Sequence, residues 1–223
     1  IGPPRNSDSP DTRERRAVLF TALGFYGKDP SVIAEAHSIT EQYLADPASV
    51  EPTLRQTALA LAARNGDAAL FDHFQKIYET STNPELQIGA LQRLAQFQNP
   101  SLVERALDFA VSGKVRNQDA SFQIALALNT DENRDQAWQF IQSHWDKVQA
   151  QFTTEMGAQL VSSTGSFCSV ATRDSVEQFF AEHKVAAADS ALRHAIEVIN
   201  GCIEFRTMQE PQLQSWLSAQ PQS

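Results

Sequence analysis

The sequence has little cysteine, a shortage of basic residues and no long apolar run, and each shortage excludes a class of protein. Its 223 residues include 18 Lys and Arg against 27 Asp and Glu, for a formal net charge of −9. This acidic balance argues against nucleic acid as a partner, because such binding depends on clustered basic side chains that neutralise phosphates. No stretch approaches the ~20 apolar residues of a membrane-spanning helix, so we expect no membrane partner either.

The few cysteines and histidines do not form a recognisable catalytic or metal site. Cys168 and Cys202 are too few for a disulfide framework and match no Cys-x-x-Cys pattern, so we interpret both as buried free thiols. None of the five histidines begins a His-Glu-x-x-His helix. His194 and Glu197 lie at i and i+3 on one predicted helix, and we interpret them as a surface ion pair rather than as metal ligands. We therefore predict no catalytic residue, no metal ligand and no catalysis from this chain alone.

Helical periodicity extends along nearly all of the chain. Apolar or small residues recur at positions 54, 57, 58, 61 and 62, which is the spacing of one face of a helix. Asp29-Pro30 and Asn99-Pro100 each place a capping side chain before a proline, which is typical of a helix start. In Asn65-Gly66-Asp67, we expect Gly66 to close one helix in the left-handed conformation and Asp67 to cap the next. No alternating apolar and polar run predicts a strand.

The helices are predicted to form repeated pairs. One constant shift of the sequence along itself superposes Pro52 on Pro84, Leu54 on Leu86, Ala58 on Ala90, Leu59 on Leu91, Ala63 on Ala95 and Leu70 on Leu102. A third pair is predicted to begin near Asn117 and near Asn133, and its second helix is predicted to be long and to reach Phe152. Such pairs bury their apolar faces by stacking on their neighbours, as in helical solenoids. Beyond Phe152 the period is lost, and a last short helix is predicted around Leu213, Trp216 and Leu217.

The predicted fold class is all-α, a helix-pair solenoid of the HEAT or armadillo type, that is, an α-α superhelix, with an irregular helical C-terminal cap. We expect a linker over 1–11, a single helical domain over 12–219 and a tail over 220–223. The predicted core comprises Leu54, Leu61, Leu86, Leu94, Trp138, Ile141, Trp145, Phe179, Phe180, Ile196 and Ile199.

Three stretches carry a resemblance to a known family. They are Lys114-Val115-Arg116-Asn117-Gln118-Asp119, the segment from Ala137 to Asp146 with its Ala-Trp-x-Phe and second Trp, and Val176-Glu177-Gln178-Phe179-Phe180 followed by Glu197-Val198-Ile199 and Leu213-Gln214-Ser215-Trp216-Leu217. In the order and spacing of these motifs, the chain from Leu54 to its end resembles the C-terminal helical domain of the M1 family of zinc aminopeptidases. That group includes puromycin-sensitive and endoplasmic-reticulum aminopeptidases.

The resemblance implies a non-catalytic, HEAT-like domain that covers the active site of a separate catalytic domain and shapes a cavity for peptide substrate. It implies that the parent protein removes N-terminal residues from peptides, with zinc held in a catalytic domain outside this chain and no cofactor in the chain itself. The implied partners are that catalytic domain, in the same polypeptide, and the peptide. We expect the chain to begin part-way through the family's domain, and the compartment stays open because any targeting segment would lie upstream.

Arg116, Gln118 and Asp119 are the candidate residues for the substrate cavity, because they surround a predicted helix start on a loop between stacked helices. The structural alternative is that Arg116 pairs with a nearby carboxylate or faces solvent. For the whole chain, the alternative function is an independent helical-repeat scaffold that binds another protein along its concave face.

Overall fold

A computed structural model describes residues 5, 7–152 and 156–220. In these ranges all regular structure is helical and no strand occurs, which confirms the all-α prediction. The α-helices are α1 (Pro10–Thr21), α2 (Pro30–Ala45), α3 (Pro52–Arg64), α4 (Ala68–Thr80), α5 (Pro84–Leu94), α6 (Pro100–Ala110), α7 (Asn117–Asn129), α8 (Arg134–Ser143), α9 (Trp145–Gln149), α10 (Met156–Ser163), α11 (Val170–Glu182) and α12 (Asp189–Ser218). A π-helical turn at Ala22–Tyr26 follows α1, and short 3₁₀ turns lie at Pro47–Ser49 and Thr164–Ser166.

The helix-pair repeat is confirmed by these bounds. The pairs α3–α4 and α5–α6 begin at Pro52 and Pro84, two positions that the repeat superposes, and α7–α8 supplies the third pair. The chain divides into two compact units, residues 1–103 and residues 104–223. The single domain over 12–219 stays a prediction, and within the described ranges no helix is long and apolar enough to cross a membrane.

Capping side chains start several of these helices as the sequence predicts. Oδ1 of Asp29 accepts the backbone N–H of Ser31 at 2.8 Å, and Oδ1 of Asp67 accepts that of Leu70 at 3.0 Å. Each carboxylate thereby satisfies an N–H group that the first turn of a helix leaves without a partner. The hydrogen bonds to Asp29 from Ser31 and Val32 hold the pKa of its carboxyl below the usual value.

Gly66 corrects the prediction of a left-handed turn. Among the described residues, the glycine with positive φ is Gly113, and Gly66 is not left-handed. The reason for glycine at position 66 is space, since a Cβ there would lie 2.7 Å from the Phe97 ring and 2.9 Å from the carbonyl oxygen of Ala62. The close approach of neighbouring helices therefore accounts for this residue.

In the first unit, α3 packs against both α1 and α2, and α4 packs against α5. One apolar cluster joins Phe20, Val32, Ala36, Leu54, Ala58, Leu61 and Ala62. Phe97 lies edge-on to Phe71 and to Phe74, with ring centroids 5.2 Å and 6.5 Å apart. Edge-on aromatic packing of this kind stabilises a core beyond the area that it buries.

In the second unit, α7 packs against α8 and α10, and α12 packs against α10 and α11. Trp138 is central, with its ring edge-on to Phe179 at 5.2 Å and to Phe167 at 6.0 Å between centroids. Its Nε1–H donates to Oγ of Ser175 at 3.0 Å, so the polar atom of this buried indole is satisfied.

Most of the predicted core residues are buried, and two are not. Leu86 is 37% exposed and Ile196 is only half-buried, although each shares the helical spacing of its buried neighbours. Two helix bounds also differ from the prediction. The long helix expected from Asn133 to Phe152 breaks at His144, and the short helix expected near Trp216 is the continuation of α12 through Pro211.

The prediction of two buried free thiols is wrong. Cys168 and Cys202 form a disulfide at a sequence separation of 34, with Cα atoms 5.3 Å apart, and both are half-buried. The bridge joins the segment just before α11 to α12, and those two helices pack together. Composition could not reveal this pair, because a disulfide depends on Cα separation in the fold and not on the number of cysteines.

Candidate functional site

The candidate cavity residues lie at the start of α7. Arg116 is the N-cap residue, so Asn117 occupies the first helical position and is not the cap. Nε of Arg116 donates to Oδ2 of Asp119 at 2.7 Å, in the first turn of the helix. Asp119 is thus held by Arg116 and also lies where the helix dipole favours a negative charge.

The three candidates differ in exposure. The side chain of Arg116 is 53% exposed and that of Asp119 is 14% exposed, while Gln118 is exposed. The structural alternative for Arg116, pairing with a nearby carboxylate, is therefore present. Half of the Arg116 side chain is still accessible, and the pair itself contributes little to stability at this exposure.

The metal chemistry implied by the family has no ligand set among the residues that the structure describes. No group of three or more His, Cys, Asp and Glu side chains lies close enough there to hold an ion. His194 Nδ1 and Glu197 Oε2 are 3.9 Å apart, and their side chains are 73% and 78% exposed. A catalytic zinc requires about three protein ligands, so this solvent-exposed i, i+3 pair does not fit one.

The outer half of α12 presents an exposed apolar face. The sequence pattern places Leu213, Trp216 and Leu217 on a helix but does not predict that they are exposed. This outer α12 face comprises large side chains that are 52% to 62% exposed: Phe205, Met208, Leu213, Trp216 and Leu217. At about 100° per residue they fall within about half of the helix circumference. Contiguous exposed apolar side chains of this size are typical of an interaction surface.

The inner half of the same helix anchors it to the second unit. Ala195 and Ile199 are buried, and α12 contacts α10, α11 and the 3₁₀ turn at Thr164–Ser166. The disulfide at Cys202 lies at the junction between this packed half and the exposed half. The outer α12 face therefore belongs to a helix that a disulfide fixes near its middle.

Comparison with known proteins identifies the class of this domain. Residues 2–201 match the family described as the ERAP1-like C-terminal domain. The chain belongs to this family, which confirms the resemblance drawn from Arg116, Trp138 and the later motifs. The family to which it belongs is the helical C-terminal domain of M1 aminopeptidases.

The relatives are named aminopeptidases. The chain is 25% identical over 203 residues to Aminopeptidase 2, mitochondrial, of Saccharomyces cerevisiae, a match that covers 87% of this chain and 21% of the relative. It is 26% identical over 204 residues to Aminopeptidase M1 of Arabidopsis thaliana, covering 88% of this chain and 23% of that protein. The match to Aminopeptidase M1-D of Oryza sativa is 26% over 199 residues, with 87% and 23% covered. The chain thus spans about a fifth of the length of these relatives.

Proposed function

We propose that this chain is the non-catalytic domain of a zinc aminopeptidase, in which it covers the active site and shapes the cavity that receives peptides. Family membership supports this function, because the relatives are aminopeptidases of which the chain matches about a fifth. The catalytic domain of the same polypeptide is the proposed partner, and a peptide is the proposed substrate. Zinc would be held by that catalytic domain.

The outer α12 face is the observation that carries the partner proposal. Its apolar side chains are more than half exposed, and the helix that bears them is anchored at Cys202. Burial of apolar area stabilises association by about 25 cal/mol per Å² before the costs of ordering are subtracted. The proposed occupant is the remainder of the aminopeptidase polypeptide, which in the relatives is several times longer than this chain.

A comparison between the chain and its parent protein tests this partner. Leu213→Ser with Trp216→Ser should leave the melting temperature of the isolated chain nearly unchanged, since both side chains are exposed there. The same pair of substitutions should lower the melting temperature of the full-length parent. Gln209→Ser with Gln214→Ser, on the same half of α12, is the matched control. Equal effects of the apolar pair in chain and parent would count against the proposed interface.

The second candidate function is an independent scaffold. The complete open reading frame distinguishes this scaffold from an aminopeptidase domain. A single reading frame that encodes a His-Glu-x-x-His motif upstream of this chain supports the aminopeptidase domain. A reading frame without any such motif would favour the scaffold, which would then bind a separate protein through its own surface. Hydrolysis of aminoacyl-anilide substrates by the purified full-length protein, abolished by a zinc chelator, is the corresponding activity test.

A further inference from the structure

The disulfide between Cys168 and Cys202 lies where the packed part of α12 ends. Ile199, about one turn earlier on the helix, is fully buried. Ile203 is half-buried, and every residue from Glu204 to Ser218 is exposed. In the part of the chain that the structure describes, the outer half of α12 is therefore joined to the second unit close to Cys202.

Cys168 belongs to a segment that is fixed independently of the disulfide. The preceding residue, Phe167, is 2% exposed, and its ring lies edge-on to that of Trp138. The following residue, Ser169, caps α11, since its Oγ accepts the backbone N–H of Thr172 at 3.1 Å. Because both neighbours keep their own contacts, opening of the bond leaves Cys168 in position and releases α12.

The other contacts of α12 near the bridge are weaker or lie before it. Nη1 of Arg173 on α11 donates to Oδ1 of Asn200 at 3.1 Å, at the surface, where water competes for both groups. Gly165 approaches α12 closely, since a Cβ there would lie 3.4 Å from Cα of Ala195. That contact is with the inner half of the helix. The disulfide is thus the main restraint at the start of the outer half.

The bond is within reach of a thiol in the folded chain, because both cysteines are half-buried. Thiol–disulfide exchange begins when a thiolate attacks one sulfur and forms a mixed disulfide, and its rate depends on access. The second thiol of a dithiol then displaces the remaining cysteine. In sum the dithiol gives up two electrons and two protons and becomes a disulfide, while Cys168 and Cys202 become free thiols.

We propose that this disulfide is a redox lock on the outer half of α12. In the oxidised chain the bond holds the start of the outer half against the segment before α11. When a dithiol reduces the bond, α12 frays back toward Ile199, while the core of the second unit around Trp138 stays folded, since the two regions differ in local stability. One consequence rests on the proposed function: reduction weakens the contact between the outer α12 face and the remainder of the aminopeptidase.

Hydrogen exchange of the isolated chain tests the lock, with dithiothreitol as the reductant. Alkylation of both cysteines, measured as a mass shift, establishes that the bond opens in the absence of denaturant. In the reduced chain, amide hydrogens from Ile199 to Ile203 should exchange at least about tenfold faster than in the oxidised chain. Amide hydrogens of α7 should stay protected at the same short labelling times in both states.

Cys168→Ser with Cys202→Ser is the matched control for the reductant. This variant should show fast exchange from Ile199 to Ile203 with and without dithiothreitol. Three results would overturn the lock: a bond that dithiothreitol opens only in urea, unchanged exchange in the reduced chain, or loss of protection throughout α7 and α11 on reduction. The last of these would show that the whole unit unfolds.

The full-length parent separates this inference from the proposed interface. If the outer α12 face is covered there, amide hydrogens from Phe205 to Ser218 should exchange more slowly in the oxidised parent than in the isolated chain, and reduction should accelerate them at least about tenfold. Equally fast exchange in oxidised parent and chain would contradict the interface, and the lock is then decided by Ile199 to Ile203 in the chain alone. Slow exchange that reduction does not change would contradict the lock.

Discussion

Cys168 and Cys202 are bonded to each other at a sequence separation of 34, and the bond holds the start of α11 against the middle of α12. The pair closes a loop that contains all of α11 and the inner half of α12. Part of the aromatic cluster, Phe179 and Phe180, lies inside the same loop. Covalent closure and aromatic packing therefore stabilise the same region of the second unit.

Removal of the disulfide should destabilise the chain. A disulfide that closes a loop of this length restricts the unfolded chain, and this raises the free energy of unfolding by about 3–4 kcal/mol. Cys168→Ser with Cys202→Ser should lower the free energy of unfolding in urea by about this amount. A reducing agent should destabilise the wild-type chain to a similar extent and leave the double variant unchanged. If reduction has no effect on the wild-type chain, the bond is not formed in solution.

Leucines at equivalent positions of the helix-pair repeat should respond differently to truncation. Leu94→Ala should cost about 2–5 kcal/mol, since Leu94 is fully buried and truncation leaves a cavity. Leu86→Ala should cost less than about 2 kcal/mol, because Leu86 is 37% exposed and already loses part of its burial to solvent. Leu54→Ala, at the repeat position equivalent to Leu86 but buried, should behave like Leu94→Ala. The order of the three urea midpoints tests this difference in burial, and equal losses of stability for the three variants would contradict it.

Gly66→Ala should destabilise the first unit through a steric contact. The added Cβ would lie within 3.0 Å of Phe97, the Ala62 carbonyl and Leu70, and the carbonyl is backbone that cannot move aside easily. Gly201→Ala is the matched control, since a Cβ there meets nothing within 4 Å in the middle of α12. That control should stabilise the chain by up to about 1 kcal/mol, as expected for glycine replaced within a helix. Thermal unfolding of both variants tests the contrast, and a neutral Gly66→Ala would show that the helices separate readily.

Arg116→Ala in the full-length parent should raise KM for peptides of about eight residues and leave turnover of an aminoacyl-anilide nearly unchanged. The reason is that a residue distant from the reacting bond contributes binding energy only to a substrate long enough to reach it. Asp119→Asn is the control, because it breaks the 2.7 Å pair while retaining the Arg116 charge.

The comparison of the two Arg116 tests distinguishes binding from folding. If Asp119→Asn raises KM as much as Arg116→Ala does, the ion pair positions the helix start and Arg116 does not contact the peptide. Equal losses on the peptide and the anilide would point to a folding defect. Unchanged kinetics for Arg116→Ala would contradict the proposed cavity role.

The capping of α3 by Glu51 predicts a pH dependence. Burial raises the pKa of the Glu51 carboxyl, but hydrogen bonds from Thr53 and from the Leu54 N–H outweigh it and lower the pKa below the usual value. A carboxyl whose folded pKa is lowered contributes stability above its unfolded pKa, and loses this contribution as the pH falls through the folded pKa. Glu51→Gln should therefore reduce the dependence of the urea midpoint on pH below about pH 4.5. If the urea midpoint of Glu51→Gln depends on pH as strongly as that of the wild-type chain, this role of Glu51 is contradicted.

The all-α fold class and the helix-pair repeat can be predicted from the sequence because both depend on local patterns. Proline after a capping residue and apolar residues at i, i+3 and i+4 are both properties of a single helix, and the starts at Pro30 and Pro100 follow from them. Leu86 was misplaced because burial depends on whether a neighbouring helix covers a position, which the repeat does not specify. The same limitation applies to Gly66, whose neighbour Phe97 lies beyond both α4 and α5 in sequence.

The sites were less predictable, because they combine residues from separate elements. Arg116 and Asp119 were identified together since both belong to one helix start. The outer α12 face was not predicted, because the exposure of Phe205 and Met208 depends on whether another element covers them. Cys168 and Cys202 likewise required the packing of α11 on α12 before their proximity was evident.

Pro211 gives the outer part of α12 a dynamic property. Proline has no N–H to donate to the carbonyl of Thr207, so the hydrogen-bond ladder of the helix is interrupted beyond the half that packs on α10 and α11. The turns on either side of this gap can fray without opening the core, at a local free energy far below that of global unfolding. Amide hydrogens from Phe205 to Ser218 should exchange rapidly in the chain by itself. Slower exchange of these hydrogens would show that another surface covers this part of the helix.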